Sequence, residues 1–532
     1  MTPEPTDLIR RLLRPQAFPH GAERLELKET HGAWVVLAGP YAYKLKKPVN
    51  FGFFDYSTPE RRTADAGAEV RLNRRLAAST YLGLVDVVER DGEIFVGGEG
   101  RLLERAVWMR RLPDDGMLTT LLVRDAASPQ LVRRIARIIV RFHGSAPTGP
   151  GVDDHGRVSN LQANWDENFE QIRPWVGVTI RSWEIEAVER YVRRVLDDKR
   201  GLLDRRVGEG RIRDGHGDLH AGSICVVDGE IVVFDCIQFS ARYRCADVAA
   251  EVAFLAMDLD HAGRADLGWA FVDEYVRRSA DSELLHLLSF YKCYRAFVRG
   301  KVLSLRLGQG NLSDDQREGV IRQARFYFDL ATAYAGGIAR PSVVAMTGLP
   351  ASGKSVLAHE LASRLGLVHL STDVVRKRRS GLRPRDRAGA AFGAGLYQAD
   401  VTHATYAAMR RQAAKWLERG MSVVLDGTFG APRERTLARR LALRKGAEFF
   451  LIATQIDEPT AQKRIEERQR DPANVSDATW EIYDRMRREY VGPDEIPPGE
   501  ILVDASGGNG ADAVIARLMQ SPRFGGAIVR VP

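Results

Sequence analysis

Residues 348–355 read Gly-Leu-Pro-Ala-Ser-Gly-Lys-Ser, and residues 216–224 read His-Gly-Asp-Leu-His-Ala-Gly-Ser-Ile. Both stretches carry residue types suited to phosphoryl chemistry, by unrelated designs. In the first, Gly348, Leu349, Pro350, Ala351, Ser352 and Gly353 form a loop whose backbone N–H groups can turn inward onto phosphate oxygens. The N-terminus of a following helix adds partial positive charge. Lys354 is placed to reach the β and γ phosphates, and Ser355 to ligate Mg²⁺. The apolar run Val343–Thr347 before the loop and a helical pattern from Lys354 supply the strand–loop–helix context the motif requires.

Residues further on could complete such a site. Asp373 and Arg376, in Ser371-Thr372-Asp373-Val374-Val375-Arg376-Lys377, follow the apolar run Val368–Ser371. There Asp373 can accept a proton from a hydroxyl, with Arg376 one helical turn on; a helix N-cap is the other reading of Asp373. Asp426 ends the apolar run that begins at Val423 and is suited to hold Mg²⁺ or its waters. Arg464 and Arg468 sit on a polar helical stretch, where arginines can close over a transferring phosphoryl group or simply face solvent. Residues 376–387 hold seven basic residues and one acidic, a place to hold an acceptor's phosphates. No aromatic residues interleave that run, so nucleic acid is the minor alternative.

The other stretch has partners of its own in the first half. Lys44 ends a short apolar run, the position from which a lysine reaches the α and β phosphates, and Lys46 is the alternate. Glu69, on the helical stretch that follows, can pair with Lys44. Asp218 would accept the proton of a hydroxyl, and Asp235, closing Val232-Val233-Phe234-Asp235, would bind Mg²⁺. Trp108–Leu112 is the expected connection between lobes, where adenine would dock.

The elements that must position these residues differ between the halves. Arg24–Thr30, Ala33–Leu37 and Tyr41–Leu45, separated by His31-Gly32 and Gly39-Pro40, predict a small antiparallel sheet. Strands are also expected at Glu93–Val96, Leu103–Met109, Ile224–Val227 and Ile231–Asp235. Helices are expected at about 60–76, 131–143, 185–203 and over most of 247–334. After the Gly/Pro punctuation of residues 335–341, strands at 343–347, 368–371, 423–425 and 449–454 alternate with helices, near 399–419 and elsewhere. That alternation argues for a parallel sheet wrapped by helices.

A chain of 532 residues exceeds one hydrophobic core, and 44% hydrophobic with 28% charged residues is ordinary for globular protein. We expect domains at 1–335 and 342–532, joined by a linker at 336–341. The net charge is +8. From residue 341 onward 29 Lys and Arg face 22 Asp and Glu, so nearly all the excess lies in the second domain. An anionic ligand there and an arginine-rich coding bias both account for it. The four cysteines show neither CxxC pairs nor zinc spacing, and no apolar run is long enough to span a bilayer. With no signal-peptide pattern at the N-terminus, a cytoplasmic location is expected.

The stretch from about 341 to 510 resembles the small P-loop kinases grouped with polynucleotide 5′-kinase, gluconate kinase and zeta toxins. The resemblance implies Asp373 as base, Arg376 as acceptor contact, and Arg464 and Arg468 as lid residues. Residues from about 20 to 335 resemble the aminoglycoside phosphotransferase and choline kinase-like family, whose loop reads H-G-D-x-x-x-x-N. Here Ser223 stands in place of that metal-binding asparagine; a hydroxyl can ligate Mg²⁺ but reaches less far. With only His31-Gly32 between the first two strands, no G-x-G-x-x-G loop covers the phosphates.

Together the halves resemble two-domain bacterial proteins that fuse these folds: a protein-kinase-like α+β domain and an α/β P-loop domain. The resemblance implies an ATP- and Mg²⁺-dependent phosphotransferase acting on a hydroxyl, with the second domain as main engine. The acceptor would be a small molecule, a nucleotide-type compound or a nucleic-acid 5′ end. A nucleotide-dependent regulatory module with a first-domain pseudokinase, and a zeta-toxin-like kinase of nucleotide-sugars, are the alternatives.

Overall fold

The computed structural model describes residues 7–22, 24–50, 52, 55–308, 312–337, 341–382, 399–470, 479–504 and 510–521. The first half opens with an antiparallel six-stranded sheet: β1 (Leu25–Glu29), β2 (Ala33–Ala38), β3 (Tyr41–Lys46), β4 (Tyr81–Arg90), β5 (Glu93–Val96) and β6 (Arg101–Arg110). Its order is β1-β2-β3-β6-β4-β5. The helix Pro59–Ala77 packs on the sheet, capped by the Thr58 side chain, which accepts from Arg61 N, with Pro59 at its first turn. β4 was not legible from alternation. It carries register shifts at Tyr81/Gly83 and Val87/Val88, and a bulge breaks the period of two by which a strand is recognised.

Below the sheet lies a mostly helical lobe with one continuous apolar core, drawn from helices including Pro129–Ser145, Val248–His261, Leu288–Arg306 and Asp314–Thr332. The expected helix at 185–203 is two helices, Ser182–Asp198 and Arg200–Gly208, because Lys199 leaves helical geometry (φ −105°, ψ 8°). Two small ribbons, β7 (Ile212–Asp214) with β10 (Cys245–Asp247) and β8 (Ile224–Val227) with β9 (Glu230–Val233), hold residues 215–223 and 234–244 between them. Helix Asp314–Thr332 runs into a final turn in which Gly336 takes a positive φ of 115°.

The second half is a five-stranded parallel sheet, in the order β12-β13-β11-β14-β15. Its strands are β11 (Ser342–Thr347), β12 (Val368–Ser371), β13 (Val423–Asp426), β14 (Glu448–Thr454) and β15 (Ile501–Asp504). β11 is buried at every position, as a central parallel strand covered on both faces must be. Two apolar clusters flank the sheet, one including Val343, Leu370 and Met409, the other Val344, Leu361 and Leu518. The helix Lys354–Leu365 fills one face; Ala399–Leu417 and Pro432–Arg444 contribute to the other. All four cysteines are free and buried. Among the described residues no helix is long and apolar enough to cross a membrane.

Candidate active sites

In the second half the phosphate-type loop leaves the end of β11 and enters the helix at Lys354. Gly348 must be glycine: its φ is 144°, and a Cβ there would fall 2.6 Å from the Thr454 carbonyl oxygen. Gly353 takes a left-handed φ of 88° just before the helix. Lys354 Nζ lies back across the loop, donating to the Leu349 carbonyl at 2.6 Å, and Ser352 Oγ lies 2.6 Å from Thr454 Oγ1. Arg464 Nη1 donates to the Ala351 carbonyl at 3.2 Å, which brings that arginine onto the loop. The side chain of Arg468 lies outside the described residues.

Beside the loop, Ser355 Oγ donates to Asp426 Oδ1 at 3.1 Å, and His369 Nε2 lies 3.3 Å from Asp426 Oδ2. Parallel register sets this up, since Ser371 of β12 pairs with Asp426 of β13 at the carboxyl ends of the strands. Burial alone would raise the Asp426 carboxyl; the contacts with His369 and Ser355 and the charge of Lys354 instead hold it below its ordinary value. A hydroxyl and an ionised carboxylate together are a hard-oxygen set that fits Mg²⁺.

Asp373 sits two residues past the N-cap position of the helix Thr372–Arg379, which Ser371 occupies, so it is not the cap. It is 41% exposed and pairs with Lys377 Nζ at 3.0 Å and Arg376 Nη1 at 3.7 Å. Of the basic run at 376–387, residues 383–387 lie outside the described residues.

In the first half three elements converge. Lys44 Nζ on β3 donates to Glu69 Oε1 at 2.7 Å and to Asp235 Oδ1 at 2.8 Å. Lys46 is 3% exposed and lies 2.8 Å from Asp65, with Glu69 Oε2 as its second partner. Thus Lys44, not the alternate Lys46, faces Asp235. Burial lowers the Lys44 pKa, but Asp235 and Glu69 raise it well above the usual ammonium value. Burial likewise raises Glu69, and the two lysines hold it down at about 2.

Asp235 has a positive φ of 63°, a strained turn that two hydrogen bonds support. Asp235 N donates to Tyr81 Oη at 3.2 Å and Cys236 N to Asn73 Oδ1 at 2.8 Å.

The loop at 216–223 is anchored from below. A single buried carboxylate oxygen of Glu251 accepts from both His216 N and Gly217 N, and His143 Nε2 lies 2.8 Å from its other oxygen. Asp258 Oδ2 accepts from Ala221 N at 2.8 Å. Both acids ride on the helix Val248–His261. Asp218 reaches His220 Nε2 at 3.4 Å, and against the effect of burial His220 holds its carboxyl at about 2. Asp218 is therefore ionised near neutrality and able to orient a hydroxyl as a hydrogen-bond acceptor.

Ser223 is 2% exposed, and its hydroxyl is spent locally: Oγ donates to the His220 carbonyl at 2.8 Å and accepts from His220 N at 3.1 Å. Among the described residues no cluster of three or more His, Cys, Asp or Glu forms a metal site. Sequence spacing missed Tyr81, Asn73, Glu251, Asp258 and His369. Each acts through a partner far away in the chain, and none belongs to a local motif; a signal that could have found Glu251 and Asp258 is their acidic type on an otherwise apolar helix, Val248–His261.

A kinase-type lobe pair, followed by a P-loop fold with its chemistry-bearing residues at the strand ends, defines a phosphotransferase enzyme. Residues 31–286 match the phosphotransferase enzyme family, and residues 343–493 match the AAA domain.

The chain belongs to the same family as the uncharacterized protein Rv2004c of Mycobacterium tuberculosis (strain H37Rv). The two are 36% identical over 421 residues, which is 79% of this chain and 81% of that protein. The UPF0200 protein of Aeropyrum pernix is 33% identical over 163 residues, 30% of this chain and 79% of its own length. A solved choline/ethanolamine kinase family protein from Mesorhizobium loti superposes with a TM-score of 0.37 at 14% identity, covering 62% of this chain and 99% of that one.

Proposed function

We propose that this enzyme transfers the γ-phosphate of ATP to a hydroxyl with the aid of Mg²⁺, and that the P-loop half, residues 342–532 after a linker at 336–341, is its main engine. The observation that carries the reading is the hydrogen bond from Ser355 Oγ to Asp426 Oδ1, 3.1 Å long, directly behind the phosphate loop. Ser355 and Asp426 would hold Mg²⁺, which would neutralise charge on the phosphates. Lys354 exchanges the Leu349 carbonyl for phosphate oxygens. Arg464, already on the loop, covers the transferring group, as Arg468 would from the next turn. Asp373 takes the acceptor proton, and Arg376 steadies the acceptor.

The triangle Lys44–Glu69–Asp235 supports a second nucleotide site in the first half, with Lys44 on the phosphates and Asp235 on the metal. The spent hydroxyl of Ser223 favours slow turnover there, closer to a nucleotide-binding module than to a fast kinase. The acceptor classes remain a small alcohol, a nucleotide-type compound or a nucleic-acid 5′ end.

The test incubates γ-labelled ATP with pools of small-molecule and oligonucleotide acceptors. Label that survives Asp218→Ala and vanishes in Lys354→Ala assigns the chemistry to the P-loop half. The reverse pattern assigns it to the first half and sinks the main-engine reading.

A further inference from the structure

Asp218 has two arginines of one helix among its charged surroundings. The helix Leu288–Arg306 carries Arg295 and Arg299, four residues apart and so on one face. The Arg295 guanidinium lies 4.6 Å over the ring of Phe254, Phe254 packs 5.6 Å from the His220 ring, and His220 contacts Asp218. Arg299 lies 5.5 Å over the Tyr327 ring and touches its hydroxyl at 3.5 Å. Arg295 is among the charges that act on Asp218, and Arg299 is acted on by Tyr327 and the buried Asp258 and, after them, by Asp218.

Neither arginine has a carboxylate within ion-pair distance among the described residues, and the buried Nε of Arg295 has no hydrogen-bond partner. The fully buried Arg206 of the same half is neutralised by Asp247 and Asp281 at 2.7 Å each. Two partly buried guanidiniums stacked on aromatic rings, with donors unspent, are costly to keep unless an anion completes them. Lys44, the lysine suited to the nucleotide tail, is tied to Glu69 and Asp235, partners that neither arginine shares.

We infer that the acceptor of the Asp218 site is an alcohol that already carries an anionic group, a phosphate or carboxylate, bound by Arg295 and Arg299. The inference rests on the reading of Asp218 as the residue that receives the acceptor hydroxyl. In the transfer, the hydroxyl oxygen forms a bond to the γ-phosphorus while the β–γ bridging P–O bond breaks. ADP departs with the electron pair, and the hydroxyl proton passes by way of Asp218 to water. Cationic amino-sugars and choline-like alcohols are disfavoured by the same two charges.

The test titrates the full chain carrying Lys354→Ala, which weakens phosphate binding at the P-loop, with glucose 6-phosphate, gluconate, glucose and glucosamine in a calorimeter. We expect at least one anionic sugar to bind roughly tenfold or more tightly than glucose and glucosamine. The phosphate and carboxylate arms tell the two anions apart. Arg295→Gln with Arg299→Gln should abolish the preference, and Arg295→Lys should keep part of it, which separates lost charge from lost folding.

Equal or tighter binding of glucose or glucosamine, no binding of either anion, or a preference that survives the double substitution overturns the inference. Label transfer in the same Lys354→Ala protein separates the two readings. Arginine-dependent anion binding with no transfer, even on long incubation, leaves an anion site but overturns the acceptor reading, while the P-loop reading stands. Transfer to glucose or glucosamine in preference to the anions keeps Asp218 as a working site and overturns the acceptor class.

Discussion

Arg364 Nε donates a 2.8 Å hydrogen bond to Asp329 Oδ2, joining the helix that begins at Lys354 to the helix Asp314–Thr332 of the first half. Both side chains are 2% exposed. Arg364 Nη2 also reaches Asp512 Oδ1 at 2.6 Å, and Arg181 Nη1 reaches Asp329 Oδ1 at 3.1 Å. One helix thus starts at the phosphate loop and ends in a buried ion cluster shared with the kinase-type lobe.

Removing Arg364 leaves Asp329 buried without its closest partner. Arg364→Met is expected to cost about 3–5 kcal/mol in chemical denaturation. Pairing it with Asp329→Leu should recover part of that loss, because no charge is then stranded. Equal losses in the single and double variants would show that packing, not charge, holds this joint.

Glu184 lies in the same cluster, 2% exposed, accepting from Arg181 N at 2.7 Å. Burial and the neighbouring Asp329 push its carboxyl up to about 8 from an ordinary 4.5. Between those values the folded chain holds a proton that the unfolded chain has released. The resulting stability is full below the lower value and is lost as pH rises through the upper one. Glu184→Gln should therefore flatten the fall of Tm between pH 5 and pH 9, measured by scanning calorimetry.

Asp426→Asn keeps the shape behind the phosphate loop and removes the charge. Turnover should fall by roughly two to three orders of magnitude, with a raised Mg²⁺ requirement in a metal titration. A variant as active as the unmodified protein would take Asp426 out of the site.

Ser223→Asn restores the residue usual in the kinase-type loop, but the position is 2% exposed and its hydroxyl closes the turn at His220. The larger amide should overpack the turn and cost about 1–3 kcal/mol in denaturant melts, without raising ATP turnover by the first half. Faster turnover would identify the serine as the limiting feature.

Periodicity and punctuation made most elements readable. Glu93–Val96 and Ile224–Val227 are strands with the expected ends, and the helix expected over 60–76 spans Pro59–Ala77. β4 escaped because its bulges erase alternation. β15 escaped because it is a four-residue edge strand with only one buried position. In the sites, residues on local motifs could be named from spacing alone. Residues such as Glu251, which holds His216 from 35 positions away, could not.

From composition, local period and motif spacing alone, the order of elements and the two phosphoryl-type loops follow, because both are properties of neighbouring residues. Three matters needed the folded chain: whether Lys44 or Lys46 meets Asp235, whether Ser223 has a free hydroxyl, and which charges surround Asp218. Each depends on contacts between segments distant in sequence or on how one turn closes, and a hydrogen bond or ion pair exists only where the fold brings its two ends within about 3–4 Å.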